Sequence, residues 1–185
     1  MSRLLLVRHG PSAHVHDGTW IDAVSARQFE LSYDAAAIRV DENPPASLVE
    51  SARSADLVLA SDLARAVASA RAIAPGREPT TSPLLRELAF RPPTWGPKLP
   101  LAMWDAIEFM QWSTHLFVGI ETPETERARA AAKWIDDQAA THALTVVVTH
   151  GAFRRLLTVK LEQRGWNRSP ERRQYHNWST WSLSR

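Results

Sequence analysis

Two short stretches carry the chemistry this chain offers: Arg8-His9-Gly10 near its start and His150-Gly151 near its end. An imidazole can attack an electrophile or move a proton, and a guanidinium offers a fork of donors to a phosphate or carboxylate. Each histidine follows a short apolar run, Leu4-Leu5-Leu6-Val7 after Arg3 in one case and Leu144 to Thr149 in the other. Runs of that length suit buried strands, and Gly10-Pro11 cannot continue one. Open α/β sheets take their ligands at the carboxyl ends of their strands. If the two strands are parallel neighbours, both imidazoles and Arg8 meet at one mouth.

Asp56 to Ala60 reads as another buried strand. Ser61 and Asp62 after it are good helix N-cap types, and Leu63 to Ile73 is rich in helix formers, with Pro75-Gly76 as a stop. Arg65 then lies in a first helical turn, where free N–H groups and the helix dipole favour an anion. The plainer reading is a solvent-facing arginine. Together, Arg8, His9, Arg65 and His150 describe a pocket for a phosphoryl group, with one histidine able to attack phosphorus. Glu87 lies between Leu85 and Leu88, where partial desolvation would suit a general acid; the plainer reading is a surface glutamate. His14 and His16 share one face of an extended segment, as a metal pair would need. No further ligand is obvious nearby, so no metal site is expected.

The positioning elements alternate strand and helix. Thr80-Thr81-Ser82 suits a short strand, and Leu101 to Trp112 suits a helix over the sheet edge. With Trp95, Trp112 and Phe117 that helix would wall a pocket, although such aromatics more often serve as core. Thr122-Pro123-Glu124 is a helix start, with Ala128, Ala131, Ala132, Ile135 and Ala139 as the apolar stripe of a helix running to about Thr141. Ala152 to Gln163 suits another helix and Ser179 to Leu183 a last strand. Residues 21–55 show only possible helical turns at Ala35–Ile38 and Ala46–Arg53, and no role follows for them. The alternation implies a three-layer α/β/α sandwich with a mainly parallel sheet, as one domain spanning residues 1–185.

Composition narrows the function classes. Of 185 residues, 44% are hydrophobic and 23% charged, the balance of a globular protein. Lys and Arg number 22 against 20 Asp and Glu, a formal charge of +2 that points to no nucleic-acid partner. The densest basic cluster, Arg164, Arg168, Arg172 and Arg173, reads as a solvated loop. With no cysteine there is no disulfide framework and no thiolate metal site. No apolar run approaches the length of a membrane span and no signal-like segment opens the chain, so a cytoplasmic location without membrane partners is expected.

Several of these stretches resemble, in order, the motifs of the histidine phosphatase superfamily in its phosphoglycerate-mutase-like branch. Leu4-Leu5-Leu6-Val7-Arg8-His9-Gly10 resembles its signature and Ser61-Asp62-Leu63-Ala64-Arg65-Ala66 its second motif. Leu85-Arg86-Glu87 resembles its acid segment and Val148-Thr149-His150-Gly151 its late His-Gly motif. His176-Asn177-Trp178-Ser179 is similar to the stretch before its last strand. The resemblance runs from residue 3 to about 183. It implies a phosphoglycerate-mutase-like fold, a phosphohistidine formed on His9, and phosphate oxygens clamped by Arg8, Arg65 and His150. It also implies a proton delivered to the leaving oxygen by Glu87, a supporting phosphate contact from Ser12, and no metal or other cofactor.

The chain departs from the family where an acid and a Trp-Asn pair commonly follow Arg-His-Gly; it has Pro11, His14 and Val15 there. After Glu87, Leu88-Ala89-Phe90-Arg91-Pro92-Pro93 replaces the usual glycine and acids. The function expected is a metal-independent phosphomonoesterase acting through phosphohistidine on a small phosphorylated substrate. Two alternatives stand beside it: a phosphoglycerate-mutase-type phosphotransferase, and a non-catalytic binder of phosphorylated ligands with the same fold. The short chain favours hydrolysis over transfer. The substrate's identity and the oligomeric state are not legible.

Overall fold

The computed structural model describes residues 2–15, 17–89, 96–104, 106–107, 109–110, 121–170 and 174–185. His16, Trp95, Trp112, Phe117, Arg172 and Arg173 lie outside them, so the expected histidine pair and aromatic wall concern residues that are not described. In chain order the strands are β1 (Arg3–Arg8), β2 (Trp20–Ile21), β3 (Leu57–Ser61), β4 (Thr80–Ser82), β5 (Leu99–Pro100), β6 (Leu144–Thr149), β7 (Asn167–Arg168) and β8 (Thr180–Ser184). The helices are α1 (Ala23–Ala35), α2 (Ala46–Arg53), α3 (Ala64–Ile73), α4 (Pro123–Ala139) and α5 (Gly151–Glu162), with a 3₁₀ turn at Pro83–Leu85. Residues 101–104 are also helical.

A six-stranded sheet runs in the order β4-β3-β6-β1-β8-β7. β4, β3, β6 and β1 pair in parallel, and β8 and β7 add an antiparallel edge. Successive strand residues face opposite sides, and the core divides accordingly. Leu4 and Leu6 pack with Ile135 of α4 and Phe153, Leu156 and Leu157 of α5 on one face. Leu5 and Val7 pack with Ala52 of α2 and Ala66, Ala70 and Ile73 of α3 on the other. Two helical layers enclose a mostly parallel sheet, as the strand and helix alternation predicts.

Helix starts follow local chemistry. Thr122 caps α4 through the Thr125 N–H, and Thr125 bonds back to the Thr122 N–H. α3 begins differently from expectation: its N-cap is Leu63, without a side-chain cap. Asp62 instead forms a two-pronged pair with Arg86 at 2.7 and 2.6 Å, which ties the end of β3 to the segment after β4. The segment without an expected role contains α1, capped by Asp22 through the Ser25 N–H at 2.8 Å. Ile38 forms an isolated bridge to Ser12, holding the loop after β1 against the chain beyond α1.

Candidate active site

β1 and β6 are parallel neighbours in a register that pairs Arg8 with Thr149. The next residue of each strand is therefore His9 and His150, and their ring centroids lie 5.0 Å apart. The His9 N–H donates to the Thr149 carbonyl at 3.0 Å, stitching the two tips together. Both glycines that follow stand in close quarters, Gly10 the closer. A Cβ on Gly10 would overlap the Trp178 indole, and one on Gly151 would come within 3.2 Å of Arg8 Nε. The indole is placed by an unusual backbone, since Trp178 has φ 63.

His9 is held in one orientation. Its Nδ1 lies 2.6 Å from the Gly10 carbonyl, an oxygen that can only accept. Nδ1 therefore carries the proton, and Nε2 keeps its lone pair for attack. The Gly10 N–H donates to Ser69 Oγ at 2.9 Å and Asn177 Nδ2 donates to the His9 carbonyl at 2.9 Å, so α3 and the chain before β8 both brace this residue. His9 is 2% exposed and His150 fully buried. Burial, with help from the Arg65 and Arg8 charges, lowers the His9 pKa to about 3. The same burial, then the proximity of His9 and Arg65, holds His150 well below the ordinary histidine range. Both imidazoles are neutral at pH 7.

The guanidinium groups surround them. Arg65, 1% exposed, sits in the first turn of α3 as expected. It donates to the Tyr33 carbonyl and to Asp34 Oδ1, each at 2.9 Å, and lies 4.4 Å over the Tyr33 ring. Arg8 donates to the Tyr175 carbonyl. Among the described residues, four buried atoms in this cluster have no hydrogen-bond partner: Arg8 Nε, Arg65 Nε and both ring nitrogens of His150. Leaving a buried donor or acceptor unpaired costs about 1–3 kcal/mol each. Four such atoms around one pair of imidazoles are a cost that packing does not repay, and all are groups that bind phosphate oxygens.

Glu87 is placed by the 3₁₀ turn after β4. Its carboxylate accepts the N–H groups of Ala152 at 3.2 Å and Phe153 at 2.7 Å, the free donors of the first turn of α5. Arg127 of α4 holds that segment by donating to the carbonyls of Leu84, Arg86 and Glu87. Thr149 Oγ1 donates to the Leu85 carbonyl at 2.7 Å, fixing the turn to β6. A cleft of about 620 Å³ opens over this end of the sheet, and Arg8, Ser12, Arg65 and Glu87 line it. Ser12 is buried, its Oγ accepting the His14 N–H at 3.2 Å. His9 and His150 are buried and are not among the residues that line the cleft, whereas Tyr33, Asp34, Arg65 and Arg8 are.

The structure thus gathers every residue the sequence reading singled out for phosphate chemistry. It also adds residues that reading missed. Tyr33 and Asp34 come from α1, whose pattern carries no motif. Ser69 follows Arg65 by one helical turn, a spacing that could have flagged it, and Asn177 lies in a stretch noted only for its resemblance. Val15 lines the cleft and is largely exposed. Among the described residues no group of three or more His, Cys, Asp or Glu could hold a metal ion, and no helix is long and apolar enough to cross a membrane.

Residues 4–185 match the histidine phosphatase superfamily (branch 1). Solved structures share the fold at low identity. A mycobacterial glucosyl-3-phosphoglycerate phosphatase matches with a TM-score of 0.58 at 18% identity, over 100% of this chain and 93% of its own. A phosphoserine phosphatase mutant of Entamoeba histolytica, bound to phosphoserine, matches at 0.56 and 16%, over 88% and 81%. A protein of Escherichia coli K-12 provisionally assigned as an α-ribazole-5′-P phosphatase matches at 0.53 and 22%, over 86% and 79%. No curated protein sequence matches the chain.

Proposed function

The chain belongs to the histidine phosphatase superfamily, branch 1, and from that premise we propose that residues 1–185 act as one domain that hydrolyses phosphomonoesters through a phosphohistidine on His9, without a metal. The observation that carries this reading is the shell of unpaired donors and acceptors on Arg8, Arg65 and His150 around an imidazole whose Nε2 is unprotonated. A phosphate monoester supplies three oxygens to such a shell and an electrophilic phosphorus to the nitrogen. The three structural relatives above are all described as phosphatases, and their substrates are of that chemical class.

In this reading Nε2 of His9 attacks phosphorus in line, and the bond from phosphorus to the ester oxygen breaks. Glu87 gives that oxygen its proton, so the product leaves as an alcohol. Water then attacks the phosphohistidine, losing its proton to Glu87; the N–P bond breaks and inorganic phosphate departs. Arg8, Arg65 and His150 stabilise charge on the equatorial oxygens, and Ser12 adds a contact at the rim. Arg65 offers its unpaired Nε to a phosphate oxygen while Asp34 and the Tyr33 carbonyl hold its two terminal nitrogens.

A phosphate binder without turnover is the second reading, and one observation favours it: His9 is buried and does not line the cleft. Hydrolysis of an aryl phosphate with chelator present separates the two. The phosphomonoesterase reading expects chelator-resistant turnover that disappears in His9→Ala. Binding of phosphate with no turnover on a panel of monoesters would establish the binder instead.

A further inference from the structure

Among the described residues four arginines line the cleft, and three are engaged. Arg65 is paired with Asp34 and the Tyr33 carbonyl, Arg8 donates to the Tyr175 carbonyl, and Arg39 is paired with Asp41 at 2.7 Å. Arg155 differs. Its guanidinium packs 4.2 Å from the Tyr175 ring centroid and 4.9 Å from that of Phe109, and it has no acid or carbonyl acceptor among the described residues. Rings against a guanidinium restrict it while leaving its in-plane N–H fork available. The acids of the cleft stand elsewhere: Asp34 on Arg65, Glu87 on the α5 backbone, and Glu30 on α1.

Tyr175 links this arginine to the phosphate shell, because its carbonyl receives Arg8 while its ring lies against Arg155. Arg155 also follows Gly151 by four residues on α5, so both lie on one face of that helix, and Gly151 is the residue Arg8 packs against. A second cation therefore borders the clamp on the α5 side, the side where Glu87 stands ready for the leaving oxygen. We propose that Arg155, braced by Tyr175 and Phe109, is a second anion subsite that selects phosphomonoesters whose leaving group carries a carboxylate. A carboxylate matches the fork in two parallel bonds, as a hydroxyl or amide cannot. The proposal rests on the phosphomonoesterase reading for where the phosphate sits, but binding alone tests it.

The test compares carboxylate and primary amide within two matched pairs: 3-(phosphonooxy)propanoate with its amide, and 4-carboxyphenyl phosphate with 4-carbamoylphenyl phosphate. Calorimetric Kd values are measured on the His9→Ala protein, and kcat/KM on the unaltered protein. The carboxylate of at least one pair is expected to bind about tenfold more tightly than its amide. Arg155→Gln should bring that ratio close to one, Arg155→Lys should restore part of it, and Tyr175→Leu should lower it while keeping the Tyr175 carbonyl. The Tyr175 variant gives the answer if Arg155→Gln does not fold. Equal affinity within both pairs, a preference that survives Arg155→Gln, or no binding of any of the four overturns the subsite. Preferential binding without turnover keeps the subsite and refutes the phosphomonoesterase reading instead.

Discussion

At the scale of single residues, the decisive feature is a histidine that cannot be a cation where it sits. The Gly10 carbonyl fixes the proton on Nδ1, and burial keeps Nε2 free of one by lowering the pKa to about 3. His9→Ala is expected to reduce kcat/KM by at least about 10³-fold, since the nucleophile itself is lost, with the fold intact by circular dichroism. Glu87→Gln keeps the shape of the carboxylate but has no proton to exchange; kcat should fall about 10²–10⁴-fold, least for esters with acidic leaving groups such as aryl phosphates. Asp34 pairs with Arg65 at 2.9 Å and so sets a negative charge beside the phosphate shell. Asp34→Asn should therefore lower the inhibition constant of inorganic phosphate by about threefold to tenfold, read from steady-state kinetics. A higher constant would mean that Asp34 acts by positioning Arg65 rather than by repelling the anion.

At the scale of elements, the strands did most of the placing and were the most legible. Two apolar runs that each end in His-Gly marked both strands but left their adjacency as a condition; β1 and β6 meet it as parallel neighbours, and that register brings the two strand ends together. Gly10 owes its place to a contact with the far end of the chain. Gly10→Ala should destabilise the fold by about 1–3 kcal/mol in a denaturant titration, since its methyl would meet the Trp178 indole and Trp178 is held at φ 63. What stayed illegible was α1. Only Ala23 and Ala26 of its thirteen residues are buried, so it has too narrow an apolar stripe to announce a helix. Its contribution, Tyr33 and Asp34 over Arg65, depends on a tertiary approach that no local pattern encodes. The α3 cap misled for a related reason. Asp62 is a good capping type, but a distant partner, Arg86, takes its carboxylate.

At the scale of the whole molecule, the site is assembled from both ends of the chain. Arg8 and His9 come from β1, Arg65 from α3, and His150 from the tip of β6, with the chain before β8 closing over them. Gathering cations and buried imidazoles in this way has a cost that depends on pH. His9 falls from 6.5 to about 3 on folding, so the unfolded chain binds the extra proton and stability drops as pH falls below about 6.5. His150 shifts in the same direction. Between pH 6.5 and 4 the His9 contribution is on the order of 3 kcal/mol, and thermal melts of His9→Asn should lose less stability over that window than the unaltered protein. The same shift should leave kcat/KM without an acid limb from the nucleophile near pH 6.5. The most direct test of the central claim is to trap the intermediate. The protein is mixed with an aryl phosphate, quenched in alkali within the first turnovers, digested, and the peptide containing His9 is weighed by mass spectrometry. One added phosphoryl group on His9, formed and consumed at rates that match turnover, is the predicted result. Steady turnover with an unmodified His9, or with the phosphoryl group on another residue, would contradict it.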